Sequence, residues 1–151
     1  MYARDRALKV LLVEDNPGDA YLIQRLLTQS SATKHALDAV DRLDTGIERC
    51  EQGRVDVVLL DLGLPDSQGF ATVATMRAAV PHVPIIVLTG LNDLELAVHA
   101  VREGAQDYLV KGTVTADTLE RAMYYAIERK NLEEQLTQYS CLLYTSDAAD
   151  E

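Results

Sequence analysis

Five side chains of this 151-residue chain have types and positions that could do chemistry together. Glu14 with Asp15, Asp61, Thr89 and Lys111 each follow directly on a short apolar run: Val10-Leu11-Leu12-Val13, Val57-Val58-Leu59-Leu60, Ile85-Ile86-Val87-Leu88 and Tyr108-Leu109-Val110. Three carboxylates gathered at one place repel one another at neutral pH and call for a cation. All-oxygen donors select a hard ion. Magnesium takes one or two carboxylates and keeps waters that a phosphate can displace. An ammonium and a hydroxyl beside that ion would offset and hydrogen-bond the oxygens of a phosphoryl group. Asp61, at the end of the strongest run, is then a nucleophile toward phosphorus.

These residues meet only if the elements beneath them are strands of one sheet. Apolar runs of this length, alternating with helical patterns, read as buried parallel strands, and an open sheet of that kind binds ligands at the carboxyl ends of its strands. The first strand, about Lys9 to Glu14, leads into Asn16-Pro17-Gly18-Asp19, a turn and helix start. The next helix carries Ala20, Ile23 and Leu27 on one face, widened by Leu22 and Leu26. A weakly patterned second strand falls at His35 to Val40, and a short helix with Ile47 and Cys50 ends at Gly53. The third strand runs from Val55 to Asp61. Gly63 to Ser67 form a loop, with Ser67 capping a helix that bears Phe70, Val73, Met76 and Val80. Pro84 opens the fourth strand. Asn92 or Asp93 caps a helix with Leu94, Ala97, Val98 and Val101, stopped by Gly104. The fifth strand is Asp107 to Val110, and Thr115 caps a last helix continuing past Arg129. Five βα units imply a doubly wound, five-stranded parallel sheet with helices on both faces.

Bulk properties remove several classes. Nearly half the residues (48%) are apolar, which excludes global disorder. A formal charge of −10 argues against a nucleic-acid surface. No apolar stretch approaches the roughly 18 residues of a membrane span, and the charged N-terminus is no signal peptide, so a cytoplasmic location is expected. Cys50 and Cys141 have neither zinc-site nor disulfide spacing, and His35, His82 and His99 share no ligand pattern.

The strand-end set, together with Asp61, Pro65 and Gly69 at spacings of four, resembles the receiver domain of two-component response regulators. The resemblance covers about Leu8 to Arg129. It implies a flavodoxin-like fold in which Asp15, Asp61 and the backbone carbonyl of Gly63 bind magnesium, with Glu14 acting through water. It further implies that Asp61 accepts a phosphoryl group from a sensor histidine kinase or phosphotransfer protein, assisted by Thr89 and Lys111. Thr89 and Tyr108 occupy the switch positions. Such a module is not an enzyme beyond catalysing its own phosphorylation and dephosphorylation. The alternative is a receiver-like interaction module that works without phosphorylation. A haloacid-dehalogenase phosphatase would need a second aspartate where Gly63 stands, and a flavin site would not place Glu14-Asp15 beside a phosphate.

Two features depart from the family pattern. Gly112 follows Lys111 where proline is usual, and without proline a trans bond is expected. Leu91 and Gly63, each two residues beyond a site residue, have no side chain able to orient a hydrolytic water, which implies a long-lived phosphorylated state.

The expected division is a receiver over residues 1–129, a linker or signalling helix over 130–140, and a non-native tail over 141–151. The tail, from Cys141 to Glu151, resembles the translation of a sequencing adapter. Tyr125, Leu132 and Tyr139 repeat at seven residues, with Leu136 four beyond Leu132, giving the start of a coiled-coil seam that Arg129 interrupts. The expected partners are therefore a kinase, a fused output domain lost from this chain, and a second copy through the last helix, with no nucleic acid and no membrane.

Overall fold

The computed structural model describes residues 7–29, 34–90 and 93–149, with side chains described as far as Ser140. Among the described residues, seven strands and five helices follow in the order β1 (Leu8–Val13), α1 (Pro17–Gln29), β2 (His35–Val40), α2 (Leu43–Gln52), β3 (Val57–Asp61), β4 (Gly63–Leu64), β5 (Ser67–Gln68), α3 (Ala71–Ala79), β6 (Ile85–Thr89), α4 (Leu94–Arg102), β7 (Asp107–Val110) and α5 (Ala116–Ala149). The main sheet is five-stranded in the order β2-β1-β3-β6-β7, and every neighbouring pair is parallel.

Continuous apolar strands arise because this sheet is covered on both faces. Val10, Leu12, Val57, Leu59, Ile86 and Leu88 point into one core with Ile23 and Leu27 of α1 and Leu119 and Met123 of α5. The alternate residues Leu11, Val13, Val58, Leu60, Ile85 and Val87 meet Leu43 of α2, Val73 and Met76 of α3 and Ala100 of α4. Helix α2 lies close to the sheet because residue 46 is glycine: a Cβ there would stand 2.9 Å from Val13 Cγ2.

Local signals explain most element ends. Asn16 Oδ1 accepts from the backbone N–H groups of Gly18 and Asp19, capping α1 with Pro17 in its first turn. Thr115 Oγ1 accepts from Thr118 N, and Thr118 Oγ1 from Thr115 N, a reciprocal cap for α5. Gly104, at φ +119, ends α4 in a conformation that side chains rarely tolerate.

Other expectations are corrected. The segment after β3 is a small antiparallel hairpin, β4 with β5, rather than a loop. Ser67 does not cap α3; its hydroxyl lies 2.7 Å from Thr72 Oγ1, and the residue before the helix is Phe70, whose ring stacks on His99 instead of entering the core. Asp66 of the hairpin instead caps α2, accepting from Leu43 N and Asp44 N at 2.9 and 3.0 Å. Gly53 is extended (φ −162) and gives α2 no left-handed cap. In α4 the buried residues are Ala97 and Ala100, while Leu94, Val98 and Val101 face outward. Leu22 of α1 is also exposed. Asn92 lies outside the described residues.

Candidate functional site

Four strands deliver their last residues to the same edge. β1 ends before Glu14 and Asp15, β3 on Asp61, β6 on Thr89 and β7 before Lys111. Register places them level: Asp61 pairs with Leu88, and Thr89 with Val110. One carboxylate oxygen from each of Glu14, Asp15 and Asp61 lies within 4.8 Å of the others. Asp61 Oδ2 also accepts from Gly63 N at 3.1 Å.

Lys111 stands in the middle of this negative charge. Its Nζ lies 2.7 Å from Glu14 Oε2, 2.9 Å from Asp19 Oδ2 and 3.0 Å from Asp61 Oδ1. Burial alone would lower its pKa, but the carboxylates of Glu14, Asp19 and Asp61 around it outweigh that and raise it. Glu14 is pushed the other way for a carboxyl group. Its burial raises its pKa, opposed by the Lys111 ammonium at 2.7 Å and reinforced by the charge of Asp61. The peptide bond from Lys111 to Gly112 is trans, as the missing proline implies.

A cleft opens beside these groups, lined by Asp61, Thr89, Lys111, Asp19 and Asp93. Thr89 is buried, and its hydroxyl reaches Leu109 O at only 3.5 Å, a bond long enough to give up easily. Tyr108 is half-buried against the core on the α4 side of the sheet, the face that Thr89 shares by strand alternation. The chain leaving the β4–β5 hairpin has Gly69 at φ +78, and the Gly69 N–H donates to Leu62 O. That backbone demand accounts for the glycine four residues after Pro65.

The sequence singled out neither Asp19 nor Asp93 for this cleft. Asp93 holds the N-cap position of α4, as read, but makes no capping hydrogen bond. Asp19 was legible only as part of a helix start, because its partner Lys111 lies 92 residues away. Leu91 lies outside the described residues.

The profile of the response regulator receiver domain matches residues 10–123. The chain belongs to that family. Among similar proteins, the transcriptional regulatory protein BasR of Escherichia coli is 35% identical over 104 residues, covering 69% of this chain and 46% of BasR. The chain therefore spans about half the length of the curated relatives it matches. A response regulator receiver domain from Clostridium thermocellum superimposes with a TM-score of 0.70 at 31% identity, over 83% of this chain and 98% of that one. The receiver domain of a Pseudomonas aeruginosa sensor histidine kinase, described with magnesium coordinated in its active-site cleft, matches with a TM-score of 0.69 at 28% identity, over 82% of this chain and 99% of that one.

The family role of this receiver is to accept a phosphoryl group. Its own donor set suits a small hard cation: three carboxylates converge, with no nitrogen or sulfur ligand among them. Among the described residues no helix is long and apolar enough to cross a membrane.

Proposed function

We propose that this receiver takes a phosphoryl group onto Asp61 from the phosphohistidine of a sensor kinase or phosphotransfer protein, and relays it as a change of shape. The observation that carries this reading is the placement of Asp61: one carboxylate oxygen faces Lys111 Nζ at 3.0 Å, and the residue lines the cleft that Thr89 shares. An Asp61 oxygen attacks phosphorus, the bond from phosphorus to the donor's imidazole nitrogen breaks, and that nitrogen keeps the electron pair. Lys111 offsets charge on the transferring oxygens, and the Thr89 hydroxyl leaves Leu109 O to donate to one of them. Asp15, Asp61 and the Gly63 carbonyl would hold magnesium, with Glu14 acting through water; when bound, the ion neutralises the phosphoryl oxygens. Thr89 and Tyr108 face α4, so the switch acts first on that helix. The receiver catalyses only its own phosphorylation and hydrolysis.

Residues 130–140 serve as a linker to an output domain, and 141–151 are not native sequence. Tyr125, Leu132, Leu136 and Tyr139 of α5 are all more than half exposed, which supports their pairing with a second copy. Arg129 leaves a gap in that stripe, its guanidinium donating to Gln106 O at 2.7 Å.

Acetyl phosphate with magnesium tests the acceptor. One phosphoryl group per chain is expected by intact-mass measurement, and none in Asp61→Asn or in excess chelator. Equal labelling of Asp61→Asn would overturn the assignment.

A further inference from the structure

Lys111 Nζ is enclosed by three carboxylates, donating to Asp19 Oδ2 and Asp61 Oδ1 and forming an ion pair with Glu14 Oε2, so a phosphoryl oxygen must compete with them for the ammonium. An incoming phosphoryl oxygen displaces most readily the partner whose release costs least. The three are not equivalent. The Glu14 side chain is 1% exposed, and abandoning it would strand a charge in the interior. Asp61 is the acceptor itself. The Asp19 side chain is 36% exposed and water can replace its lost hydrogen bond.

We propose that Asp19 is an exchangeable partner of Lys111 that slows phosphorylation of Asp61. It acts in two ways with the same sign. It holds one N–H donor and part of the positive charge that a phosphoryl oxygen would take, and its own charge lines the cleft that a negatively charged donor must enter. It is dispensable for aiming Lys111, because Glu14 and Asp61 already hold the ammonium at 2.7 and 3.0 Å. Asp19 is itself held in place: Asn16 N donates to Glu14 Oε1, and Asn16 Oδ1 accepts from Asp19 N. The brake is thus tied to the same buried glutamate that anchors the lysine.

This inference rests on Asp61 being the acceptor, and one set of measurements separates the two claims. Rates of phosphorylation by acetyl phosphate are compared for the full chain, Asp19→Asn, Asp19→Ser and Asp19→Glu at saturating magnesium. The neutral variants should react about two- to fivefold faster, the range expected from losing one partly exposed ion pair. Asp19→Glu should stay near the parent rate. The advantage should shrink as salt rises from 0.05 to about 0.5 M, as screening removes the repulsion. A merely structural role would lower the unfolding midpoint without any such charge and salt pattern. Neutral variants reacting at or below the parent rate overturn the brake while leaving the acceptor reading intact. A parent chain that takes no phosphoryl group overturns the acceptor reading, and the brake with it.

Discussion

The two ends of the sheet use charge in opposite ways. At the carboxyl ends, Glu14, Asp61 and Lys111 have side chains no more than 15% exposed, with both carboxylates within 3.0 Å of one ammonium. At the amino ends, Gln106 and His82 meet α5 through Arg129, Glu133 and Glu134, and His82 has a side chain 83% exposed. Buried charge costs desolvation and gains strength from the low dielectric around it. Exposed charge gains little and orients what it touches. One end can therefore do chemistry, while the other steers a helix.

Paired substitutions sharpen that contrast. Lys111→Ala leaves the Glu14 carboxylate buried without its cation, and should lower stability in chelator by about 3 kcal/mol. Arg129→Ala, at the other end, should cost about 1 kcal/mol or less. Urea unfolding monitored by circular dichroism gives both values, and equal losses would dissolve the distinction.

A smaller effect is expected on the lifetime of the phosphorylated form. Gly63 has no side chain, and Leu91 offers no polar atom to orient a hydrolytic water. Leu91→Glu should shorten the lifetime by about tenfold, less than the roughly 10²–10⁴-fold of a fully positioned general base. Loss of phosphate by the parent chain within seconds would show that another group, such as Asp93 at the cleft, already serves.

The smallest effect belongs to the amino end. The α5 stripe covers barely two heptads, so it should give only weak self-association. Sedimentation at concentrations well above micromolar should show a dimer that disappears when residues beyond Arg129 are removed. A monomer in both cases, with Asp61 phosphorylated, would leave the extension as a linker alone.

What the sequence disclosed, and what it hid, follows the same physical division. Strand ends were legible because a fully buried strand is continuously apolar, so the first polar residue marks the edge of the sheet. Even the weak β2 fell at His35–Val40 as read, since the alternation of elements demands a strand there. Contacts closed by the fold were not legible. Asp66 reaches back 23 residues to cap α2, and Asp19 reaches Lys111 across nearly the whole domain. Periodicity also failed to say which way a stripe faces. Ile23 and Leu27 of α1 turn inward, but Leu94, Val98 and Val101 of α4 turn out, because the small residues Ala97 and Ala100 let α4 sit close to the sheet. Apolar spacing identifies a helix face, and only packing decides whether that face is covered.

Helix α5 begins five residues after Lys111 and is still touching the opposite end of the sheet at Glu133 and Glu134. From Ala116 to Ser140 it is a rod of about 37 Å at 1.5 Å per residue. If its contacts at Arg129, Glu133 and Glu134 released, such a rod would act as a lever with its fulcrum near the chemistry. A tilt of about 6° at its base carries its far end about 4 Å, on the scale of one helical turn. Anything fused beyond that point would receive a displacement several times larger than the movement of the side chains that started it.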